Sequence, residues 1–188
     1  MMKKFIQIKR ISVGATLLEL LIGLAIVAIL LTAVGPNVQS ILISNRITAD
    51  VNGLSSLMRF AKHTAVNEQR VVTVCSTSNF TSCSGNWNNG KMVFIDGNGN
   101  GQRDADEALL ASGDPTSKNN TLSGTNQAFS FAPDGSADEA LTLTYCPSTG
   151  EAKYARALLV TLYGKISISV DSNGDGIAEN ASGSALSC

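Results

Sequence analysis

Ala15-Thr16-Leu17-Leu18-Glu19-Leu20-Leu21-Ile22-Gly23-Leu24-Ala25-Ile26-Val27-Ala28-Ile29-Leu30-Leu31-Thr32-Ala33-Val34 is an apolar run broken by a single charge. A run of that length is enough to cross a bilayer as one helix. A charged side chain in hydrocarbon costs about 2.5–3.5 kcal/mol on insertion scales, so Glu19 reads as a functional residue. Ahead of it, Lys3, Lys4, Lys9 and Arg10 form a basic leader that stops at Gly14. A secretory signal carries its cleavage site after its hydrophobic stretch, so this leader is of another kind. The basic excess also keeps residues 1–14 in the cytoplasm and sends the rest of the chain across.

Gly35-Pro36 follows the run directly. Proline removes a helix hydrogen bond and crowds the preceding turn, so a kink belongs there. Helical periodicity resumes beyond it. Ile47, Val51, Leu54, Met58, Ala61 and Ala65 draw one apolar stripe, with Asn45, Asp50, Arg59 and Lys62 between them. The pattern predicts one kinked helix over about residues 15–66. Its first half (15–35) is transmembrane, and its amphipathic half (36–66) packs on a globular domain at 67–188.

From Arg70 the pattern turns to short β-rich segments at 71–74, 92–95, 128–131 and 141–145. Segments 158–162 and 166–170 flank Tyr163-Gly164-Lys165, which reads as a hairpin turn or bulge. The polar stretch Ser112 to Asn126 reads as a mobile surface loop. The expected class is α+β, a long kinked helix packed on a β-sheet-rich head with a lollipop outline.

Over the whole chain the formal net charge is −1. Without residues 1–14, ten basic side chains face fifteen acidic ones, a net −5. Nucleic-acid binding needs clustered Lys and Arg, so this balance weighs against it. Cys75, Cys83, Cys146 and Cys188 form no CxxC pair, and an exported domain sits in an oxidising compartment. Two disulfides follow, with three connectivities open. Cys75–Cys83, closing a short loop, and Cys146–Cys188, pinning the carboxyl terminus, are favoured.

Asp96, Asn98, Asn100, Gly101 and Glu107 match the calcium-loop pattern D-x-[DN]-x-[DN]-G-x5-E. Asp96, Asn98, Asn100, the Gln102 carbonyl, Asp104 and Glu107 are the candidate oxygen ligands. A strand precedes this loop rather than an entering helix, and Arg103 fills a slot that is usually apolar. A Gly/Asn-rich turn is therefore the favoured reading, with calcium as the candidate ligand and no other cofactor expected. Asp171-Ser172-Asn173-Gly174-Asp175-Gly176 repeats the opening of the pattern, but Glu179 comes too early, so it reads as a turn. The lone histidine, His63, lies about 200° around the helix from Ala61 and faces away from the stripe. Trp87 reads as a core or lid residue, with contact to a neighbouring subunit as the alternative. No G-x-S-x-G, P-loop or dinucleotide fingerprint occurs, and no enzymatic activity is expected.

Gly14-Ala15-Thr16-Leu17-Leu18-Glu19-Leu20 resembles the processing site of type IV prepilins and pseudopilins. The resemblance implies cleavage after Gly14 by the prepilin peptidase and N-methylation of the new amino terminus at Ala15. Ala15 departs from the family's usual phenylalanine or methionine. Cleavage sets an ammonium at Ala15 about one helical turn from Glu19. In a filament, Glu19 can pair with the ammonium of a neighbouring subunit, which offsets burial of both charges and sets axial register.

The segments Trp87 through Glu107 and Leu57 through Val66 are similar to the FimT/FimU/GspH group of minor pilins, the second only in part. That group implies a low-abundance subunit that starts filaments or sits at their tips, anchored by one span in the bacterial inner membrane with a periplasmic head. Its implied partners are other minor pilins, the major pilin or pseudopilins, and the inner-membrane assembly platform. A minor pilin supporting twitching or adhesion is the leading expectation, and a type II secretion pseudopilin the alternative. A DNA-binding pilin is the third. The G-R-x-R motif of such pilins appears here as Gly164-Lys165-Ile166-Ser167, leaving Lys165 as the one candidate DNA contact.

Overall fold

The computed structural model describes residue 14 and residues 16–124 and 127–188, with side chains throughout except at 33–37. The leader before Gly14, the expected amino terminus at Ala15 and the side chain of Pro36, with its kink, lie outside the described residues. The chain divides into two compact units, Met1–Ile41 and Leu42–Cys188. Helix α1 (Leu17–Glu68) is followed by eight strands: β1 (Val72–Thr77), β2 (Gly90–Ile95), β3 (Leu109–Gly113), β4 (Asn120–Ser123), β5 (Ala128–Phe131), β6 (Leu141–Pro147), β7 (Arg156–Val160) and β8 (Ile166–Ile168). The class is α+β, with the helix packed on antiparallel sheets.

Among the described residues no helix is long and apolar enough to cross a membrane.

The helix ends where its backbone turns left-handed. Gln69 has φ 53°, and the Arg70 N–H reaches back to the Ala65 carbonyl at 3.2 Å. That six-residue closure satisfies an otherwise orphaned helix carbonyl. The Gln69 amide adds a 2.7 Å bond to the Val66 carbonyl. The chain leaves this cap directly into the β-branched run of β1.

In the second unit the strands form two four-stranded antiparallel sheets, ordered β3-β2-β1-β5 and β4-β6-β7-β8. All six stripe residues of α1, from Ile47 to Ala65, are buried. They share one core with Val72, Val74, Val93, Phe129 and Phe131 of the first sheet and Leu122, Leu141, Leu143, Leu158 and Val160 of the second. Phe129 and Phe131 point the same way, as period-two alternation requires, and meet edge to face at 5.0 Å. Trp87 joins this core at 2 % exposure, the core reading of the two.

Strands β3 and β4 have no counterpart in the sequence reading, and β4 lies inside the stretch read as a mobile loop. Their side chains are half polar, and backbone pairing to β2 and β6 holds them. Asp50 of α1 also anchors the approach to β4. Its carboxylate accepts from Ser117 Oγ at 2.8 Å, Ser117 N at 3.3 Å and Asn120 Nδ2 at 2.7 Å. Across the molecule, the β7–β8 hairpin turns at 161–165. Gly164 there has φ +69°, and a Cβ would collide with the Gly135 carbonyl, so only glycine fits.

Asp50→Ala removes the acceptor for three donors, so urea unfolding should show a loss of about 2–3 kcal/mol. Asp50→Asn should lose less, because one acceptor oxygen remains. An unchanged midpoint in Asp50→Ala would show that the connection before β4 is held by its backbone alone.

Candidate assembly site

Helix α1 opens on a capped turn. Thr16 Oγ1 accepts the Glu19 N–H at 3.2 Å, and the Thr16 carbonyl accepts from Leu20 N at 3.2 Å. Thr-x-x-Glu is the capping-box spacing, and it sets the Glu19 carboxylate in the first turn, where the free N–H groups favour negative charge. Glu19 is exposed, as is every residue from 16 to 32. Leu17 is 78 % exposed and Leu31 70 %. Contiguous apolar surface of this extent marks contact with lipid or another protein. Gly14 is exposed as well, and a Cβ built there meets nothing within 4 Å. The fold therefore makes no demand for glycine at 14, and a demand for it has to come from outside the chain.

The cysteines pair as Cys75–Cys83 and Cys146–Cys188. The first pair packs with Met92 and Phe94, where the segment after β1 folds over the sheet face opposite the helix. The second ties Cys188 to Cys146, which lies in a satellite core with Ala155, Ala157, Ala178 and Leu186.

The two acidic loops differ in how their carboxylates are used. In the loop after β2, Asp96 accepts from Asn100 N, Gly101 N and Thr73 Oγ1 at 2.9–3.1 Å. Glu107 accepts from Gly97 N at 2.6 Å and Asp104 N at 3.0 Å. The amides of Asn98 and Asn100 donate to Asp104 Oδ2, and Gln102 N donates to Asn100 Oδ1. These ligand candidates thus support one another as a self-contained turn. In the loop after β8, Asp171, Asp175 and Glu179 each bring a carboxylate oxygen within 4.8 Å of the others, the one such acidic group among the described residues.

Residues 50–164, well over half of the chain, match the family described as type II transport protein GspH. The chain belongs to the GspH family. Two crystal forms of the type IV minor pilin FimU from Pseudomonas aeruginosa (strain PAO1) share its fold. One is 18 % identical with a TM-score of 0.55, covering 67 % of this chain and 90 % of FimU. The other is 17 % identical at 0.52, covering 65 % and 92 %. The minor pseudopilin EpsH from the type 2 secretion system of Vibrio cholerae is 8 % identical at 0.49, covering 65 % and 95 %. No curated protein matches the chain.

The GspH-family head carries two surface features that its linear sequence hides. A cleft of about 430 Å³ lies between α1 and the segment after β3, lined by Asp50, Leu57, Phe60, Lys91, Asp114 and Tyr145 among others. Lys91 is nearly fully buried there, with Nζ donating to the Asp114 carbonyl at 3.2 Å and Thr116 Oγ1 at 3.1 Å. With its ammonium committed to two acceptors, Lys91 is a strut across the cleft.

The second feature is a shallow groove of about 550 Å³ where Lys165 meets Arg59, Lys62 and His63 of α1, with Tyr163 90 % exposed beside them. Lys62 Nζ holds the Gly164 carbonyl at 2.8 Å, and Arg59 Nη2 holds that of Ile166 at 3.3 Å. His63 faces solvent, its ring against the Asn67 amide. The i, i+3 spacing of Arg59 and Lys62 was visible in the sequence. That their helix face meets the hairpin of Lys165 was not.

Burial holds Lys91 down at about 8 from its ordinary 10.5, against the opposing pull of Asp50 and Asp114. Above about pH 8 the folded state has released this proton while the unfolded chain keeps it, so stability should rise with pH toward 10.5. Burial, with Asp50, pushes the Tyr145 phenol up, which reverses the trend once the unfolded phenol ionises near 10. The window for Lys91 is therefore about pH 8 to 10. Urea unfolding of Lys91→Met across it should lose the rise seen in the wild type. An equal rise in the variant would assign it to another group.

Proposed function

We propose that this GspH-family chain is a minor pilin of a type IV pilus, active in starting the filament or at its tip, in support of twitching and adhesion. The observation that carries the reading is the capped start of α1: an exposed apolar surface over 16–32 with one carboxylate, Glu19, in its first turn. That surface suits burial in the inner membrane before assembly and among neighbouring helices afterwards. Residues 15–35 are the anchor, and the strand-rich head lies in the periplasm. The prepilin peptidase cuts after Gly14 and the new terminus at Ala15 is methylated. Glu19 then pairs with the amino terminus of an adjacent minor or major pilin on the assembly platform. The chain is a structural subunit without catalytic activity of its own.

Mass spectrometry of the native protein should find N-methylated Ala15 as the first residue, and Gly14→Leu should leave the leader in place. Deleting the gene should reduce surface pili and twitching while the major pilin stays at its normal level in the membrane. Glu19→Ala should lower incorporation into filaments without changing the unfolding of the head. Normal piliation with failed export of folded enzymes would assign the chain to a secretion pseudopilus instead.

One observation favours a DNA-binding pilin as a second reading. Arg59, Lys62 and Lys165 gather around an exposed Tyr163, which combines cations for phosphates with a ring for base stacking. On this reading the full chain retards single-stranded DNA at low salt, and Lys62→Glu with Lys165→Glu abolishes the shift. An unshifted band in about 20 mM salt, where phosphate contacts are strongest, would remove the reading.

A further inference from the structure

Residues 171–179 close a tight loop at the end of the second sheet. The Glu179 N–H donates to the Val170 carbonyl at 3.1 Å, joining the loop's two ends. Beyond it, Glu179 bridges to Ala185, and Leu186 N donates to the Ala178 carbonyl at 2.9 Å. Ala178 and Leu186 are buried in one cluster with Cys146, which is disulfide-bonded to Cys188. The backbone at 179 is therefore pinned on both sides, and the Glu179 side chain is 6 % exposed.

The two oxygens of that carboxylate are used unequally. Oε2 accepts from Ser172 N and Ser172 Oγ, each at 2.8 Å. Oε1 is buried and has no hydrogen-bond partner. A buried carboxylate oxygen without a donor is costly, because nothing replaces the water it lost. Asp171 and Asp175 add two more negative groups to the same point, with an oxygen from each residue within 4.8 Å of the others. Among the described residues none of the three carboxylates has a Lys or Arg partner within salt-bridge distance. Three converging carboxylates with one orphaned oxygen are electrostatically incomplete, and a hard cation completes them.

Spacing selects the cation. Asp171, Asn173, Asp175, Ile177 and Glu179 fall at positions one, three, five, seven and nine of the calcium-loop order. Gly176, with φ +88°, stands at the sixth position, where that loop requires glycine for its sharp turn. The glutamate arrives at nine rather than at twelve, and the chain closure through Val170 is what brings it in. Magnesium asks for near-ideal octahedral geometry and keeps most of its waters, whereas calcium accepts an irregular set of oxygens. We propose that the loop 171–179 is a calcium site, with Asp171, Asp175 and Glu179 as its carboxylate ligands, and that the ion locks the carboxyl-terminal segment onto the second sheet. The loop at 96–107 is the contrast, since both oxygens of its buried carboxylates, Asp96 and Glu107, have N–H or O–H donors from the chain, whereas Glu179 Oε1 has none.

Equilibrium dialysis of the full chain in detergent against calcium should find one site, with Kd on the order of 10⁻⁴–10⁻³ M as for extracellular calcium modules. Asp175→Asn keeps the acceptor for Ile177 N while removing a charge, and should weaken binding by about tenfold or more. Glu179→Gln should do the same, and Asp104→Asn should leave binding unchanged. Circular dichroism of each variant establishes that it is folded. Calcium should also slow hydrogen exchange over residues 177–188 of the wild type. Folded wild-type protein that takes up no calcium at about 10 mM, an order above the expected range, would overturn the proposal. So would binding that survives both Asp175→Asn and Glu179→Gln, or that is lost only in Asp104→Asn.

Discussion

Ile47, Val51, Leu54, Met58, Ala61 and Ala65 form the one surface against which both sheets of the second unit are packed. The sheets are not hydrogen-bonded to each other as ordered, so the helix stripe is what makes their inner faces a single core. Full burial of a large aliphatic side chain contributes about 1.5–3 kcal/mol, which makes the four larger stripe residues a substantial share of a small domain's margin. The alanines at 61 and 65 matter for the opposite reason. Being small, they let strand side chains such as Phe131 and Val72 share a core with a helix close at hand.

The same helix treats its two parts differently, and that difference organises the molecule's chemistry. From Ile47 onward the stripe side chains are buried in a core shared with strands of their own chain. Between residues 16 and 32 the apolar side chains are exposed. The glycines divide in the same way. At Gly164 the requirement is internal, because the Gly135 carbonyl leaves no room for a Cβ. At Gly14 a Cβ would meet nothing within 4 Å, so no internal contact there requires glycine. A residue whose type the fold does not explain is where recognition by another molecule enters.

Much of the head was legible because its signals are periodic. The stripe at threes and fours placed the docked face of α1. Alternating β-branched and aromatic residues located β1, β2 and β5 through β8, some within one or two residues of their limits. Asn120-Thr121-Leu122-Ser123 carried no such signal, since three of its four residues are polar and a single leucine reaches the core. Its place is set by pairing with β6 and by Asp50, a residue some seventy positions away along the chain. Hydrogen bonds between distant segments leave no period in a sequence, and this is why β4 read as a loop.

The acidic loops show the same limit from the side of function. Counting positions favoured 96–107, whose final glutamate stands at the twelfth place, over 171–179, whose glutamate comes at the ninth. The count assumes that the chain after the loop continues as a helix and swings its carboxylate back from a fixed distance. Here the chain returns at once through the bond between Glu179 N and the Val170 carbonyl, so the shorter spacing is the one that converges. In the longer loop, the glutamate is drawn instead to Gly97 N and Asp104 N, and closes a turn that holds itself. What distinguishes the two is whether every buried carboxylate oxygen has a donor: both oxygens of Asp96 and of Glu107 do. One buried oxygen, Glu179 Oε1, is left without a donor, on a residue whose carboxylate converges with those of Asp171 and Asp175.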